Sequence, residues 1–195
     1  QCFEERYLTE LCFDDDLAFV AMDSRALQDQ FSSFERVALE CGLRLNIKKN
    51  KTEYATFDGS THALFDLTGL AITKSEKYVY LGTIPDDPGA HYRRRVALAW
   101  NAFRRVKPFF KSGAPAYVKR MLFTAIVKST LMYGMTCMPA SRPDLARLDA
   151  AYVKLVRASL GGDTDPVTVL SRHGLPLASA ELTYSRIMTV GHALR

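Results

Sequence analysis

Apolar and polar residues alternate over short stretches in the first half of the chain. Residues 11–13 and 17–21 are apolar runs separated by three aspartates, Asp14, Asp15 and Asp16. This pattern predicts a strand, a tight acidic turn and a second strand, because Asp tolerates turn conformations and is disfavoured within strands. Asp23 and Ser24 then precede apolar residues at helical spacing, and Gly42 follows them, which predicts a helix over residues 24–41.

Short strands and turns are predicted to fill the rest of the first half, at 52–57, 63–67, 70–73 and 78–83, before a loop rich in proline and aspartate. From His91 onward apolar residues recur at the spacing of an α-helix. A first helix carries Val96, Trp100, Phe103 and Val106, which we expect to pack in the core, and Pro108 is expected to end or kink it near Phe109-Phe110. Three further stretches are helical: residues 142–160, about 166–172 and about 177–194.

A helix is also predicted over residues 115–135. Its predicted inner face is formed by Val118, Met121, Leu122, Ala125, Ile126, Ser129 and Tyr133. We therefore expect an α+β fold in which an α+β part, residues 1–90, precedes an all-helical part, residues 91–195.

Charge is distributed unevenly along the 195 residues. Residues 1–90 hold 9 Lys/Arg and 16 Asp/Glu, whereas residues 91–195 hold 17 Lys/Arg and 5 Asp/Glu. The basic second half favours contact with a polyanion, most often nucleic acid, over a merely solvated surface. No apolar run is long enough for a membrane-spanning helix. The four cysteines form no CxxC pair, which indicates buried free thiols in a reducing compartment.

The three consecutive aspartates are the first candidate for chemistry. Carboxylates crowded at one turn repel one another, and a divalent cation with oxygen ligands relieves that repulsion. A solvated, inert acidic turn is the alternative, and the triplet by itself does not decide between them.

Five short motifs occur in the order found in the C-terminal half of a reverse transcriptase domain. Together they resemble the family of non-LTR, LINE-type retrotransposon reverse transcriptases over nearly the whole chain. The motifs are Phe13-Asp14-Asp15-Asp16-Leu17; Gly42-Leu43 with Asn46 and Lys51-Thr52; Tyr80-Leu81-Gly82; Leu131-Met132-Tyr133-Gly134; and Gly174-Leu175-Pro176 with the terminal Gly191-His192 segment. The resemblance implies part of a palm (hairpin, helix and short antiparallel strands) followed by a helical thumb.

The resemblance also implies roles for the acidic hairpin. Asp15 would be the direct ligand of Mg²⁺, with Mn²⁺ as an alternative, and Asp16 an auxiliary carboxylate. Asp14 stands where the family usually has a small residue such as Ala. Lys51 would lie near the nucleotide triphosphate, although a solvated basic turn is the alternative. We expect Asn46 to shape this loop by hydrogen bonding.

The same resemblance implies a nucleic-acid contact for the motif Tyr80-Leu81-Gly82, which would lie under the primer terminus. Basic residues in the second half would then meet the template–primer backbone; they are Arg93, Arg94, Arg95, Arg104, Arg105 and Lys107. The implied partners are an RNA template, a DNA primer and a deoxynucleoside triphosphate, without a membrane. The implied location is intracellular and nuclear.

Another metal-binding Asp of the family would precede Gln1, together with the fingers and the rest of the palm. We therefore expect this chain by itself not to polymerise DNA. It is interpreted either as a fragment of a larger enzyme or as a domesticated, non-catalytic RNA-binding or structural subunit of a ribonucleoprotein. An unrelated α+β metal-binding protein is the third hypothesis.

Overall fold

The structure, a computed structural model, describes residues 8–14, 16–48, 51–57, 61–76, 78–162 and 165–193. It is a mixed α+β fold. The chain divides into two compact units, Gln1–Leu81 and Gly82–Arg195. Among the described residues no helix is long and apolar enough to cross a membrane.

The first unit consists of two small sheets and one long helix. Its elements are β1 (Glu10–Phe13), β2 (Asp16–Phe19), α1 (Ser24–Glu40), β3 (Glu53–Tyr54) and β4 (Thr73–Lys74). β1 and β2 form an antiparallel hairpin in which Phe13 pairs with Asp16. The predicted hairpin is therefore present around the acidic turn. Its small core consists of Phe31, Tyr54, Leu64 and Ile72.

Helix α1 begins and ends where the sequence predicts. The Asp23 side chain accepts a hydrogen bond of 2.8 Å from the amide of Ala26 and caps the first turn. At the other end Gly42 has a φ of +78°, which favours glycine. Its amide donates to Leu39 O and the next amide donates to Ala38 O, the two bonds of a Schellman motif.

The strands after α1 are shorter than predicted, and their pairing differs. β3 and β4 have two residues each and run parallel, with Glu53 opposite Thr73, whereas antiparallel strands were expected. Within the predicted strands at 63–67 and 70–73, the structure has an isolated antiparallel bridge between Phe65 and Ala71. In place of the predicted strand at 78–83, the structure has single bridge residues, Tyr80 and Thr83, on either side of a turn at Leu81 and Gly82.

Side chains of α1 form hydrogen bonds with backbone groups that would pair with another strand in a longer sheet. The Gln28 amide donates to Phe65 O at 2.7 Å and accepts from the Phe65 amide at 2.8 Å. Buried Glu35 accepts from the amide of Leu67 at 2.9 Å. These bonds give the backbone N–H and C=O groups of the loop their hydrogen-bond partners without a β-ladder, which explains why the expected strands do not extend.

The second unit is helical. Its elements are α2 (Pro88–Phe110), α3 (Ala116–Leu122), a π-helical segment (Phe123–Lys128), α4 (Ser129–Met132), a 3₁₀ turn (Met135–Cys137), α5 (Arg142–Leu160), α6 (Pro166–Arg172) and α7 (Ala178–Ala193). The predicted helices over 142–160, 166–172 and 177–194 are confirmed as far as the described residues extend.

Helix α2 ends just after Pro108, as the sequence predicts. The helix ends at Phe110, two residues later, and the amide of Lys111 still donates to Lys107 O. Pro108 removes a single intrahelical donor close to the end of the helix, where one more exposed carbonyl is readily solvated. At the other end the Asp87 side chain caps the amide of Ala90 at 2.7 Å.

The predicted inner face of the helix over 115–135 is wrong. Phe123, Val127 and Leu131 are fully buried, whereas Met121 and Tyr133 are exposed. The cause is the π-helical segment, whose i→i+5 hydrogen bonds make a wider turn and therefore shift the buried face along the chain relative to an α-helical period. A sequence pattern read at the α-helical period therefore selects the wrong residues here.

The boundary between the two units lies between Leu81 and Gly82, whereas the sequence predicts the change from an α+β part to an all-helical part near residue 90. Residues 82–87 belong to the helical unit because Gly82 bonds to α2 and Asp87 caps it. The cysteines also differ from expectation: Cys12, Cys41 and Cys137 are free, as predicted, but are exposed instead of buried.

Candidate functional site

The acidic turn places carboxylates on the surface of the first unit. Asp14 has a φ of +53° and an exposed side chain, and exposed Asp16 opens β2. Asp is among the non-glycine residues that best tolerate a positive φ, which gives Asp14 a conformational reason to stand in this turn. Asp15 lies outside the described residues, so its predicted part as a metal ligand stays a prediction.

The hairpin rests on helix α1 through its second strand. Ala18 is buried, and the ring of Phe19 meets Phe34 edge-to-face with centroids 5.3 Å apart. The first strand is exposed along its length. β2 is therefore the element that fixes the acidic turn to the body of the unit.

A cavity of about 500 Å³ lies beside β2 in the first unit. Its walls include the start of α1, residues 51–57 and the core residues Leu64 and Ile72. Asp16 and Lys51 both line it, as do Glu53 and Tyr78. Two residues that separate motifs predict as site residues therefore border the same cavity.

The turn that carries Lys51 is held by local hydrogen bonds. The Asn46 side chain accepts from the amide of Lys48 at 3.2 Å, which confirms that Asn46 shapes this loop. The amide of Lys51 donates to Lys48 O at 3.0 Å, and its side chain is exposed. The ammonium group of Lys51 is thus accessible to an anion from solvent.

The oxygen donors of this region suit a hard divalent cation. Asp14 and Asp16 flank Asp15 in sequence, and carboxylate oxygens are the preferred ligands of Mg²⁺. Among the described residues, no group of three or more His, Cys, Asp or Glu side chains could hold a metal ion. The donor chemistry fits Mg²⁺, and this fit depends on Asp15.

Sequence reasoning did not select Glu53 and Tyr78 for the cavity. Glu53 follows Lys51-Thr52 directly, so its place in that motif was the available signal. Tyr78 stacks on Tyr80, with ring centroids 6.2 Å apart and nearly parallel planes. Burial, followed by the neighbouring Tyr80, raises the pKa of Tyr78, so its hydroxyl remains protonated near neutral pH.

The motif Tyr80-Leu81-Gly82 forms a turn with two consecutive residues at positive φ. Leu81 has a φ of +46° and Gly82 a φ of +73°. Glycine accepts this conformation freely, whereas a bulky residue such as leucine pays for it in strain. Strained backbone of this kind concentrates at functional sites, which favours interpreting the motif as a site element.

Arg95 holds the last residue of that motif. Its Nη2 donates to Gly82 O at 2.8 Å, and its guanidinium lies over the ring of Tyr133 at 4.3 Å from the centroid. The side chain is buried, unlike those of Arg93 and Arg94. Arg95 therefore joins two of the sequence motifs, and the flanking arginines face solvent.

Gly134, the residue after Tyr133, is closely packed as well. It has a φ of +70°, and a Cβ added there would lie 2.6 Å from the methyl group of Thr83. Only glycine fits both the backbone conformation and the space. The glycines of the Tyr-Leu-Gly and Leu-x-Tyr-Gly motifs are thus both in close contact with neighbouring chain.

Helix α2 presents one cationic face. With about 3.6 residues per turn, its exposed arginines lie away from the stripe of buried Tyr92, Ala99 and Phe103, and Lys107 lies at the edge of that stripe. These exposed residues are Arg93, Arg94, Arg104, Arg105 and Lys107. The helix contains no Asp or Glu, and its N-cap residue Asp87 pairs with Arg93 at 3.6 Å. Trp100 packs against the core, as predicted.

No protein-family model matches this chain, and neither a curated protein nor a solved structure matches it.

Proposed function

We propose that this chain supplies the C-terminal palm and thumb portion of an RNA-directed DNA polymerase of the non-LTR retrotransposon type. The observation that carries the proposal is the cavity bordered by both Asp16 and Lys51. The first belongs to the acidic hairpin and the second to the Lys-Thr motif. A polymerase needs carboxylates and a cation together, because its substrate is a triphosphate.

The chemistry assigned to these residues is nucleotidyl transfer. Asp15 and Asp16 would hold Mg²⁺ or Mn²⁺, which when bound supplies charge neutralisation on the phosphates. Lys51 attracts the triphosphate through its exposed ammonium group and donates a proton to the departing pyrophosphate. The remaining metal-binding Asp of the family would belong to a part of the protein that precedes this sequence.

The second unit would hold the nucleic acid. Five exposed cations on α2 between Arg93 and Lys107 extend over about 21 Å of helix, at about 1.5 Å per residue. Contacts from such a face go to phosphates and carry no sequence preference. The partners proposed are an RNA template and a DNA primer, with a deoxynucleoside triphosphate as substrate.

The test is RNA-templated DNA synthesis by the full natural protein that contains this sequence. We expect extension of a DNA primer on an RNA template with deoxynucleoside triphosphates and Mg²⁺, and its loss on chelation. Lys51→Gln should lower the rate about tenfold or more, because a charge near the phosphates is lost. The matched variant Lys48→Gln, in the same turn, should retain it. Absence of extension under all these conditions would refute the proposal.

A second candidate function is binding of RNA without catalysis, in a domesticated ribonucleoprotein subunit. The cationic face of α2 favours it, because that face requires no active site. It predicts salt-sensitive RNA binding by the full protein together with no DNA synthesis. The primer-extension assay above separates the two functions directly.

A further inference from the structure

The buried guanidinium of Arg95 costs stability. Only 7% of the residue is exposed. Burial, followed by the like charge of Arg94, lowers the pKa of Arg95. No carboxylate pairs with Arg95 among the described residues. A buried cation without a counter-ion is unfavourable, so an apolar residue would serve stability better.

The contacts of Arg95 are instead directional. One nitrogen is bonded to Gly82 O, and the planar group lies over the ring of Tyr133. A Cβ at Gly82 would lie 3.2 Å from Arg95 Nη2, closer than ordinary van der Waals contact, so a side chain there would crowd the guanidinium. Lysine cannot reproduce a planar group that stacks and donates at once.

We infer that Arg95 is a positioning residue that fixes Gly82 against Tyr133, and that it does not contact nucleic acid. The inference rests on the proposed function, in which the motif ending at Gly82 supports the primer terminus. It separates Arg95 from Arg93 and Arg94, with which it shares a run of three arginines in the sequence. Those two are exposed: Arg93 lies 3.6 Å from the Asp87 carboxylate, and Arg94 faces solvent, where a phosphate can reach it.

The first test is independent of catalysis. Hydrogen–deuterium exchange of the full natural protein is compared with that of Arg95→Met and Arg95→Lys. We expect faster exchange in residues 82–87 and 133–138 in both variants, with α5 unchanged. Tyr133→Leu should produce the same pattern, and combining it with Arg95→Met should add little, because the residues act as one unit. Unchanged exchange in both segments would overturn the inference.

The second test is kinetic and uses Arg94→Met as the matched variant. Arg95→Met and the milder Arg95→Lys should lower kcat for nucleotide addition about tenfold or more, since misplacement of a supporting element is costly. Affinity for template–primer and its salt dependence should not change. Arg94→Met should instead reduce the salt dependence, by about 0.7–0.9 in the logarithmic slope.

The outcomes distinguish failure of the inference from failure of the proposed function. A loss of affinity and of salt slope in Arg95→Met, equal to that in Arg94→Met, would make Arg95 a direct phosphate contact and overturn the inference. If the natural protein extends no primer, the proposed function fails. The exchange experiment then still decides whether Arg95 positions Gly82.

Discussion

The methyl group of Thr83 occupies the space that a side chain at Gly134 would need. An ideal Cβ at residue 134 would lie 2.6 Å from Thr83 Cγ2, well inside van der Waals contact. The backbone of Gly134 is also left-handed, with a φ of +70°. Two independent constraints therefore require glycine at this position of the Leu-x-Tyr-Gly motif.

Gly134→Ala should destabilise the second unit by about 2–4 kcal/mol, the sum of left-handed strain and overpacking. Gly174→Ala is the matched control, because its φ of +58° is similar but its Cβ would meet only the movable end of Arg120, at 3.3 Å. That variant should cost about 1–2 kcal/mol, for strain without overpacking. Urea unfolding measures both, and equal costs would contradict the steric account.

Gln28→Ala should destabilise the first unit by about 1–2 kcal/mol, because it leaves both backbone groups of Phe65 without their side-chain partner. Gln28→Glu keeps the acceptor but turns a carboxylate oxygen toward Phe65 O, and should cost at least as much. Asp29→Ala, on the exposed side of the same helix, is the control. If Gln28→Ala and Asp29→Ala have equal unfolding free energies, the side chain does not support the loop.

His91 should make the stability of the second unit fall in mild acid. The side chain is fully buried, and burial, followed by the nearby Arg95, lowers its pKa below the usual 6.5. Above that pH the imidazole is neutral in both the folded and the unfolded state. As pH falls through 6.5 the unfolded chain takes up a proton that the folded chain resists, so stability is lost, by at most about 1.4 kcal/mol per pH unit.

Unfolding free energies measured from pH 7.5 to pH 5.5 check this, with His91→Leu as the variant that removes the proton site. The wild-type protein should lose more stability over that interval than His91→Leu, whereas exposed His192→Gln should behave like wild type. Lowered pKa values also belong to three carboxyl groups, those of Asp66, Asp144 and Asp165, which affect stability in a different pH range. Their stabilisation is lost only as pH falls below about 4. Identical slopes for wild type and His91→Leu would contradict the assignment.

Arg104→Gln and Arg105→Gln should each weaken RNA binding to a similar degree whatever the RNA sequence. Each should also reduce the salt dependence by about 0.7 in the logarithmic slope for a single strand, because one phosphate contact is lost. Arg147→Gln removes a charge that is also exposed, but from α5, and serves as the control. Fluorescence-anisotropy titrations at several salt concentrations measure these slopes. A slope unchanged in the α2 variants would exclude this face from binding.

The helices of this chain were largely predictable because their signals are local. Asp23 and Gly42 bound α1 by capping chemistry that involves only neighbouring residues. In α5, Ser141 and Asp144 form a capping box, and Leu148 and Tyr152 are buried as their spacing predicts. Such features follow from backbone groups that any helix terminus leaves unpaired.

The features that the sequence did not predict depend on distant partners. The loop at Phe65 is bonded by Gln28, 37 residues away, so its strand-like pattern did not produce a strand. The π-helical segment changed the period on which the burial prediction relied. For the candidate site, Asp16 and Lys51 come from two motifs and border one cavity, a proximity that their positions in the sequence do not reveal. The three adjacent arginines look alike in sequence. Only their packing distinguishes Arg95.

Primer extension by Asp15→Asn and Asp14→Asn in the full natural protein tests the central claim most directly. The two variants each remove one charge from neighbouring positions of the same acidic turn, and asparagine tolerates the positive φ of residue 14. We predict that Asp15→Asn abolishes RNA-templated DNA synthesis, while Asp14→Asn retains it. Synthesis by Asp15→Asn at the wild-type rate would contradict a polymerase active site at this hairpin.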